Sequence, residues 1–149
     1  MDKPSDTKAL PPYCLKAGEG VMGLDSSLKA SGLSTGGNFT VIESRTDGGA
    51  PWHVHTREDE YFYVLEGTLL VHCGDETFEA GPRSFVFLPR NIPHQWDVVG
   101  DEATLLMMTI PAGLDTFLHE FHAAGSMEER NQVAANYGIT FLPRPEKTS

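Results

Sequence analysis

Short apolar runs separated by glycine, proline and aspartate make up most of the chain from Tyr13 to Ile110. Such runs, when rich in β-branched and aromatic residues and bounded by turn formers, are typical of β-strands. The clearest turn signal is Glu66-Gly67, which lies between two apolar-rich runs and predicts a tight β-hairpin. The pattern predicts strands around His53 and His55 and over residues 21–24, 28–30, 39–44, 61–65, 68–72, 76–80, 84–88, 93–98 and 103–110.

The apolar period changes after Pro111, from alternation to a spacing of three and four residues. The residues at this spacing predict an amphipathic helix packed on the strands; they are Leu114, Phe117, Leu118 and Phe121. Ser126 followed by Glu129 is a capping box that predicts the start of a second helix, and Gly138 predicts its end. Residues 139–142 are then expected to form a short returning strand.

Three histidines and one glutamate form a candidate metal site. Side chains alternate faces along a strand, so His53 and His55 point the same way, about 7 Å apart. A turn over residues 56–59 would return Glu60 on the next strand, and His94 would come from a distant strand. Imidazole and carboxylate ligands suit one divalent transition metal, namely iron, nickel, manganese, copper, cobalt or zinc. Any one of these histidines alone is more often a structural polar residue than a ligand, whereas the combination favours metal binding.

The spacing of these residues resembles the two motifs of the cupin family. The first motif, Gly, His-x-His, Glu and Gly, is matched by Gly48 or Gly49, His53, His55, Glu60 and Gly67. The second motif, Gly, Pro, Gly, His and Asn, is matched by Gly81, Pro89 and His94. Asn91 stands where the family has its second glycine, and Val98 where it has asparagine. Neither position is a metal ligand in the family pattern, and asparagine tolerates a left-handed backbone better than most residues.

The resemblance covers roughly residues 38–111 and implies an all-β fold. The expected architecture is a double-stranded β-helix, or jelly-roll, barrel with the C-terminal helices packed outside. We expect a flexible tail over residues 1–12, a single cupin barrel with its helices over 13–142, and a polar tail over 143–149. No internal repeat is visible, which favours one barrel over a tandem pair.

A substrate pocket is expected next to the metal ligands. Its predicted wall consists of Trp52, Phe62, Phe85, Phe87, Trp96 and Met107. Aromatic and thioether side chains accept flat organic molecules, although they would fill an empty barrel equally well. No inward-facing lysine or arginine is evident from the pattern, so a neutral or phenolic compound is expected rather than a phosphorylated sugar or another polyanion.

Residues 58–67 and 136–139 are similar to single-domain cupins related to quercetin 2,3-dioxygenase. This resemblance implies a metal-dependent dioxygenase that acts on a flavonol-like or other phenolic or enolisable small molecule. Glu60 is then a ligand alone, or a ligand that also acts catalytically by accepting a substrate hydroxyl proton. One alternative is a non-redox metal enzyme: an isomerase, cyclase, decarboxylase or hydrolase. Another is a non-enzymatic module that binds a small molecule, because one fold hosts many functions.

The composition of this 149-residue chain argues against some classes of binding partner. Its 21 acidic and 11 basic residues give a net charge of −10, which argues against binding to nucleic acid or an anionic membrane.

Two cysteines, Cys14 and Cys73, make no disulfide framework. No apolar leader and no run of ~18 apolar residues is visible, so a cytoplasmic location is expected. Exposed edge strands favour a homodimer, and His119 and His122 are expected to be surface residues rather than ligands.

Overall fold

The structure, a computed structural model, describes residues 9–146. Most of the expected N-terminal tail and the last three residues of the polar tail lie outside the described residues. The strands are β1 Leu28–Ala30, β2 Thr40–Thr46, β3 Ala50–His55, β4 Asp59–Cys73, β5 Glu76–Ala80, β6 Phe85–Leu88, β7 His94–Ile110 and β8 Ile139–Phe141. The helices are a 3₁₀ turn at Val21–Gly23, α1 Gly32–Thr35, α2 Leu114–Ala123 and α3 Met127–Asn136. Residues 21–24 were predicted as a strand, and this prediction is wrong.

The long strands β4 and β7 organise the fold. They pair antiparallel along most of their length, from Asp59 opposite Ile110 to Cys73 opposite His94. Register shifts between Val64 and Thr68 divide this ladder into two halves. In one half, β6 pairs with β4 and β2 pairs with β7, and β1 pairs with the outer edge of β2. In the other half, β5 pairs with β4 and β3 pairs with β7, and β8 pairs with the outer edge of β3. Two layers that share one pair of strands are the arrangement of a jelly-roll barrel, as predicted.

Glu66 and Gly67 do not turn the chain back, contrary to the hairpin prediction. The runs before and after them both belong to β4, and both pair with β7. Gly67 has φ 78°, and a Cβ atom there would lie 2.5 Å from the carbonyl oxygen of Glu102. Glycine is therefore required at a bulge, where the backbone is left-handed and a neighbouring strand approaches closely.

The barrel interior is apolar, and its side chains follow the alternation expected from the candidate ligands. Phe62 and Val64 lie on the same face of β4 as Glu60 and are fully buried. Trp96, two residues after His94, is also buried and packs edge-on against Phe62 with 5.4 Å between ring centroids. The core between the layers also contains Leu69, Val71, Val86, Leu88 and Leu105.

The C-terminal helices pack on the barrel next to β3 and extend its core. Ile42 of β2 and Ile139 of β8 lie in one apolar cluster with Leu114, Phe117 and Ala134 of the helices. The Ser126 hydroxyl accepts a hydrogen bond from the Glu129 amide, as the capping prediction requires. The carboxylate of Glu129 accepts from the Gly125 amide, so the reciprocal bond of a capping box lies one residue earlier than predicted. The predicted short strand is β8, which pairs with β3.

Two further expectations concern the described residues as a whole. Within residues 9–146 no helix combines the length and apolar character needed to cross a membrane. Cys14 is exposed and Cys73 is buried, and both are free thiols.

Candidate metal centre and cavity

Three strands bring the four candidate ligands together. His53 and His55 lie at the end of β3, Glu60 is the second residue of β4, and His94 is the first residue of β7. In the antiparallel pairing of β3 with β7, His53 lies directly opposite His94. Asn91, in the turn before β7, has φ 67°, and its amide donates to the carbonyl of His55 at 2.7 Å. The residue at the family's glycine position thus adopts the left-handed backbone that asparagine tolerates.

The donor atoms of these four residues converge on one point. One ligand atom from each lies within 4.8 Å of the others, and all four residues are buried. Nε2 of His53 lies 3.1 Å from Nε2 of His55, and Nε2 of His94 lies 3.0 Å from Oε2 of Glu60. The same oxygen of Glu60 lies 3.5 Å from Nε2 of His55. Three imidazoles and one carboxylate therefore face a common centre.

Hydrogen bonds on the far sides of two rings fix the tautomers. Nδ1 of His53 lies 2.6 Å from the carbonyl oxygen of Pro51, and Nδ1 of His55 lies 2.6 Å from Oε1 of Glu58. Both partners are acceptors, so Nδ1 carries the proton and the lone pair of Nε2 points to the centre. A proton placed between two of the facing atoms would satisfy one pair only, whereas a divalent cation satisfies all four. The residues present therefore fit a divalent transition metal.

The pKa values of the cluster agree with this donor set. Burial, and to a smaller extent the electrostatic interaction with His94, lowers the pKa of His53 to about 4, so the ring of His53 is neutral. Burial also opposes the charge of Glu60, but the hydrogen bond from His94 and the nearby imidazoles leave its pKa below the ordinary value. For His55, burial is outweighed by the hydrogen bond to Glu58 and the charge of Glu60, which raise its pKa. A metal bound at Nε2 of His55 would therefore compete with a proton for this nitrogen.

A cavity of about 510 Å³ opens beside the cluster. His53, His55 and Glu60 reach its surface, whereas His94 lies behind them and is 1% exposed. The remaining wall is mostly apolar and comes from β2, β3, β7, β8, α2 and α3. It includes Ser44, Thr46, Ala50, Pro51, Trp96, Met107, Leu114, Phe117, Leu118, Phe121, Ile139 and Phe141.

Of the six residues predicted to line the pocket, Trp96 and Met107 line this cavity. Phe62 is fully buried in the core behind Trp96. Phe85 and Phe87 are 64% and 47% exposed on the outer face of β6, since their neighbours Val86 and Leu88 take the inward positions. Trp52 lies on the opposite strand face from its neighbour His53 and lines a separate, smaller depression. These four residues therefore do not line this cavity, and for Phe85 and Phe87 the reason is the strand parity of β6.

The helix residues that form much of the wall were predicted only to pack on the barrel. Their three-four spacing shows which face is apolar but not that a cavity separates that face from β3. Arg130 of α3 also lines the cavity, so the expectation that no cationic side chain faces the pocket is wrong. His119 and His122 are both exposed, as predicted, and neither belongs to the metal cluster, although His122 also lines the cavity.

Comparison with known proteins finds a matching domain. The model of the cupin domain family matches residues 41–111, which run from β2 to just past the end of β7 and contain all four clustered residues. This match supports a cupin domain over that segment of the chain. The chain is 26% identical over 112 residues to quercetin 2,3-dioxygenase of Bacillus subtilis (strain 168). The match covers 71% of this chain but only 33% of that protein, so the chain spans about a third of the curated relative's length.

Two solved structures show the extent of the similarity in shape. The structure of KdgF from a Halomonas species is 20% identical, with a TM-score of 0.50, and the match covers 54% of this chain and 74% of that one. The nucleoside dehydratase Pac13 of Streptomyces is 17% identical, with a TM-score of 0.47, over 54% of this chain and 65% of that one. The likeness to KdgF, at 20% identity, concerns the fold alone.

Proposed function

We propose that this protein is a metal-dependent dioxygenase that acts on a phenolic or enolisable small molecule. The observation that carries the proposal is the position of the metal cluster, three of whose four residues reach the surface of a largely apolar cavity. The volume of about 510 Å³ lies within the range of roughly 300–1,000 Å³ that is common for small-molecule sites. The relative named as a quercetin 2,3-dioxygenase supports the same class of substrate.

The cavity wall suits a flat aromatic substrate. Phe121, Phe141 and Trp96 present aromatic surface, and Met107 adds an adaptable thioether. These side chains would keep bulk water away from the cluster, which strengthens every electrostatic interaction with a bound substrate. They would also hold the substrate so that one oxygen-bearing edge faces Glu60 and the histidines.

Glu60 is the residue placed to receive a proton. Both of its contacts with histidine use Oε2, so Oε1 has no side-chain partner in residues 9–146. The carboxylate is anionic, and Glu60 lines the cavity. Oε1 can therefore accept the proton of a substrate hydroxyl as that hydroxyl ionises. His53, His55 and His94 would hold the metal together with Glu60.

When bound, a divalent transition metal would supply Lewis acidity towards a substrate oxygen and one-electron chemistry with dioxygen. Incorporation of both atoms of dioxygen into the product balances without a separate reductant. The chain's own contribution is to orient the substrate, to exclude water and to hold the hydroxyl proton on Glu60.

Oxygen uptake tests the proposal. Protein loaded separately with iron, nickel, manganese, copper or cobalt is mixed anaerobically with quercetin and other phenols and is then exposed to oxygen. We expect oxygen consumption and loss of substrate absorbance with at least one metal. The zinc-loaded protein is the redox-inactive control, and His119→Ala is the matched histidine control, because His119 is exposed and outside the cluster.

The same experiment separates the competing functions. Substrate conversion without oxygen uptake would favour the non-redox metal enzyme. Binding that persists unchanged in Glu60→Ala and His94→Ala, with no conversion under any condition, would favour a binding module. No oxygen uptake with any metal and any phenol tested would contradict the dioxygenase proposal.

A further inference from the structure

Arg130 differs from three other arginines, whose guanidinium groups bind acceptors within the protein. Arg45 pairs with Glu102 at 2.6 Å, Arg90 pairs with Asp59 at 3.1 Å, and Arg57 donates to the carbonyl of Asn136 at 2.7 Å. Across residues 9–146, no carboxylate lies within 4.0 Å of the Arg130 guanidinium. Within these described residues, the guanidinium of Arg130 lies over the ring of Phe121, with 5.6 Å from Cζ to the ring centroid.

The hydrogen-bonding capacity of Arg130 is unused within the described chain. Nε is buried and has no acceptor. The terminal Nη nitrogens also lack a protein acceptor, but they are not among the buried unsatisfied atoms, so they remain accessible. Arg130 is half-buried and lines the cavity. A half-buried guanidinium without an acceptor is uncommon, because each unpaired donor carries a desolvation cost.

A row of aromatic rings connects the metal cluster to Arg130. The ring of Phe141 lies 6.1 Å from that of His53, and the ring of Phe121 lies 5.7 Å from that of Phe141. The guanidinium of Arg130 lies over Phe121, and all four side chains line the same cavity. A ligand stacked along this row would meet the cluster at one end and a fixed positive charge at the other.

We infer that the cavity binds an aromatic or enolisable carboxylic acid, whose carboxylate is paired by Arg130 and whose hydroxyl or enol oxygen faces Glu60. This inference rests on the proposed function and narrows its substrate class. A guanidinium pairs a carboxylate through two parallel N–H donors, which an uncharged phenol cannot reproduce. The chain carries a net charge of −10, so an anionic ligand needs such a local cation to enter. Arg130 is therefore a specificity-determining residue.

The test compares two probes of the same shape, 4-hydroxycinnamate and its neutral amide. Their dissociation constants are measured by calorimetry with zinc-loaded protein, in which no oxidation interferes. Hydrogen bonds to charged groups contribute about 1.5–3 kcal/mol, so we expect the acid to bind roughly 10- to 100-fold more tightly than the amide. In Arg130→Met, which keeps an apolar side chain over Phe121, the preference should fall to within about twofold. Arg130→Lys should retain part of it.

Arg45→Met is the matched control, because it removes the same charge from an arginine whose side chain is 73% exposed and pairs with Glu102 rather than lining the cavity. It should keep the full preference for the acid. Equal binding of acid and amide by the wild type, no binding of the acid, or a preference that survives in Arg130→Met would overturn the inference. Thermal unfolding confirms that each variant is folded. Because binding is measured without turnover, a preference lost in Arg130→Met supports the inference even if no oxygen uptake is found.

Discussion

His55 lies between two carboxylates, with Glu58 on one ring nitrogen and Glu60 near the other. The Nδ1–H group donates to Oε1 of Glu58 at 2.6 Å, and both residues are buried. An acceptor in this position fixes the ring orientation and raises the basicity of Nε2. Glu58 is therefore a positioning residue, since it acts on the metal site through His55.

Replacing Glu58 with alanine should weaken metal binding without removing a ligand. Outer partners of ligating histidines typically contribute 10- to 100-fold in affinity. We expect Glu58→Ala to lose about this factor for zinc, measured by competition with a chromophoric chelator. Glu79→Ala removes an exposed glutamate of β5 and should leave the affinity within about twofold. An unchanged affinity in Glu58→Ala would exclude this positioning role.

The spacing of the side chains predicts the four clustered residues well, and it predicts their partners poorly. His53, His55, Glu60 and His94 are recognisable because metal coordination restricts both the residue type and the strand parity. Glu58 and Arg130 acquire their surroundings only through tertiary packing. Acidic and basic residues are common in loops and on helix surfaces, so nothing local marks these two.

At the scale of single elements, the bulge in β4 determines how the barrel closes. The strand passes from one layer to the other near Gly67, and a Cβ atom at this position would overlap the Glu102 carbonyl. Gly100 in β7 also has a positive φ, 94°, but a Cβ atom there would meet nothing within 4 Å. Comparing the two glycines therefore separates the energetic cost of a left-handed backbone from the cost of steric overlap with a neighbouring strand.

Gly67→Ala should destabilise the protein more than Gly100→Ala. A left-handed backbone costs a non-glycine residue about 1–2 kcal/mol, and both variants carry this cost. Overlap with the neighbouring strand adds about 1–3 kcal/mol for Gly67→Ala alone. Urea unfolding of the two variants and the wild type measures the difference. Equal losses of unfolding free energy would mean that the close approach at Gly67 is relieved at no cost.

The hairpin prediction failed at this same element for a physical reason. A tight turn and a bulge both place a left-handed glycine between two apolar runs, so their local sequences are alike. The difference lies in β7, which is distant in sequence and pairs with both runs. The C-terminal helices α2 and α3 were predicted correctly because their signals, the apolar period and the Ser126 cap, are local.

At the scale of the whole molecule, one outer face is unusually aromatic. Tyr61 of β4 stacks on Phe87 of β6 with 5.1 Å between ring centroids, and Phe85 is 64% exposed beside them. Among the described strands β6 pairs with β4 alone, so it is an edge strand. Exposed aromatic edges are frequently covered by another copy of the chain. We therefore propose that the homodimer expected from the sequence forms through this face.

Light scattering after gel filtration should give twice the chain mass of 16.3 kDa for the wild type. Phe85→Asp should give the monomer mass, because a charge would be buried in the interface. Phe78→Asp changes a residue that is 39% exposed on β5 and should remain dimeric. A monomeric wild type would contradict the proposal.

The central claim is that three imidazoles and one carboxylate bind one metal ion in this protein. Elemental analysis after metal loading and gel filtration tests it most directly. We predict about one metal ion per chain for the wild type and for His119→Ala, and less than about 0.1 for Glu60→Ala and His94→Ala. A wild type that retains none of the six candidate metals, or a folded His94→Ala variant with the wild-type metal content, would contradict the account.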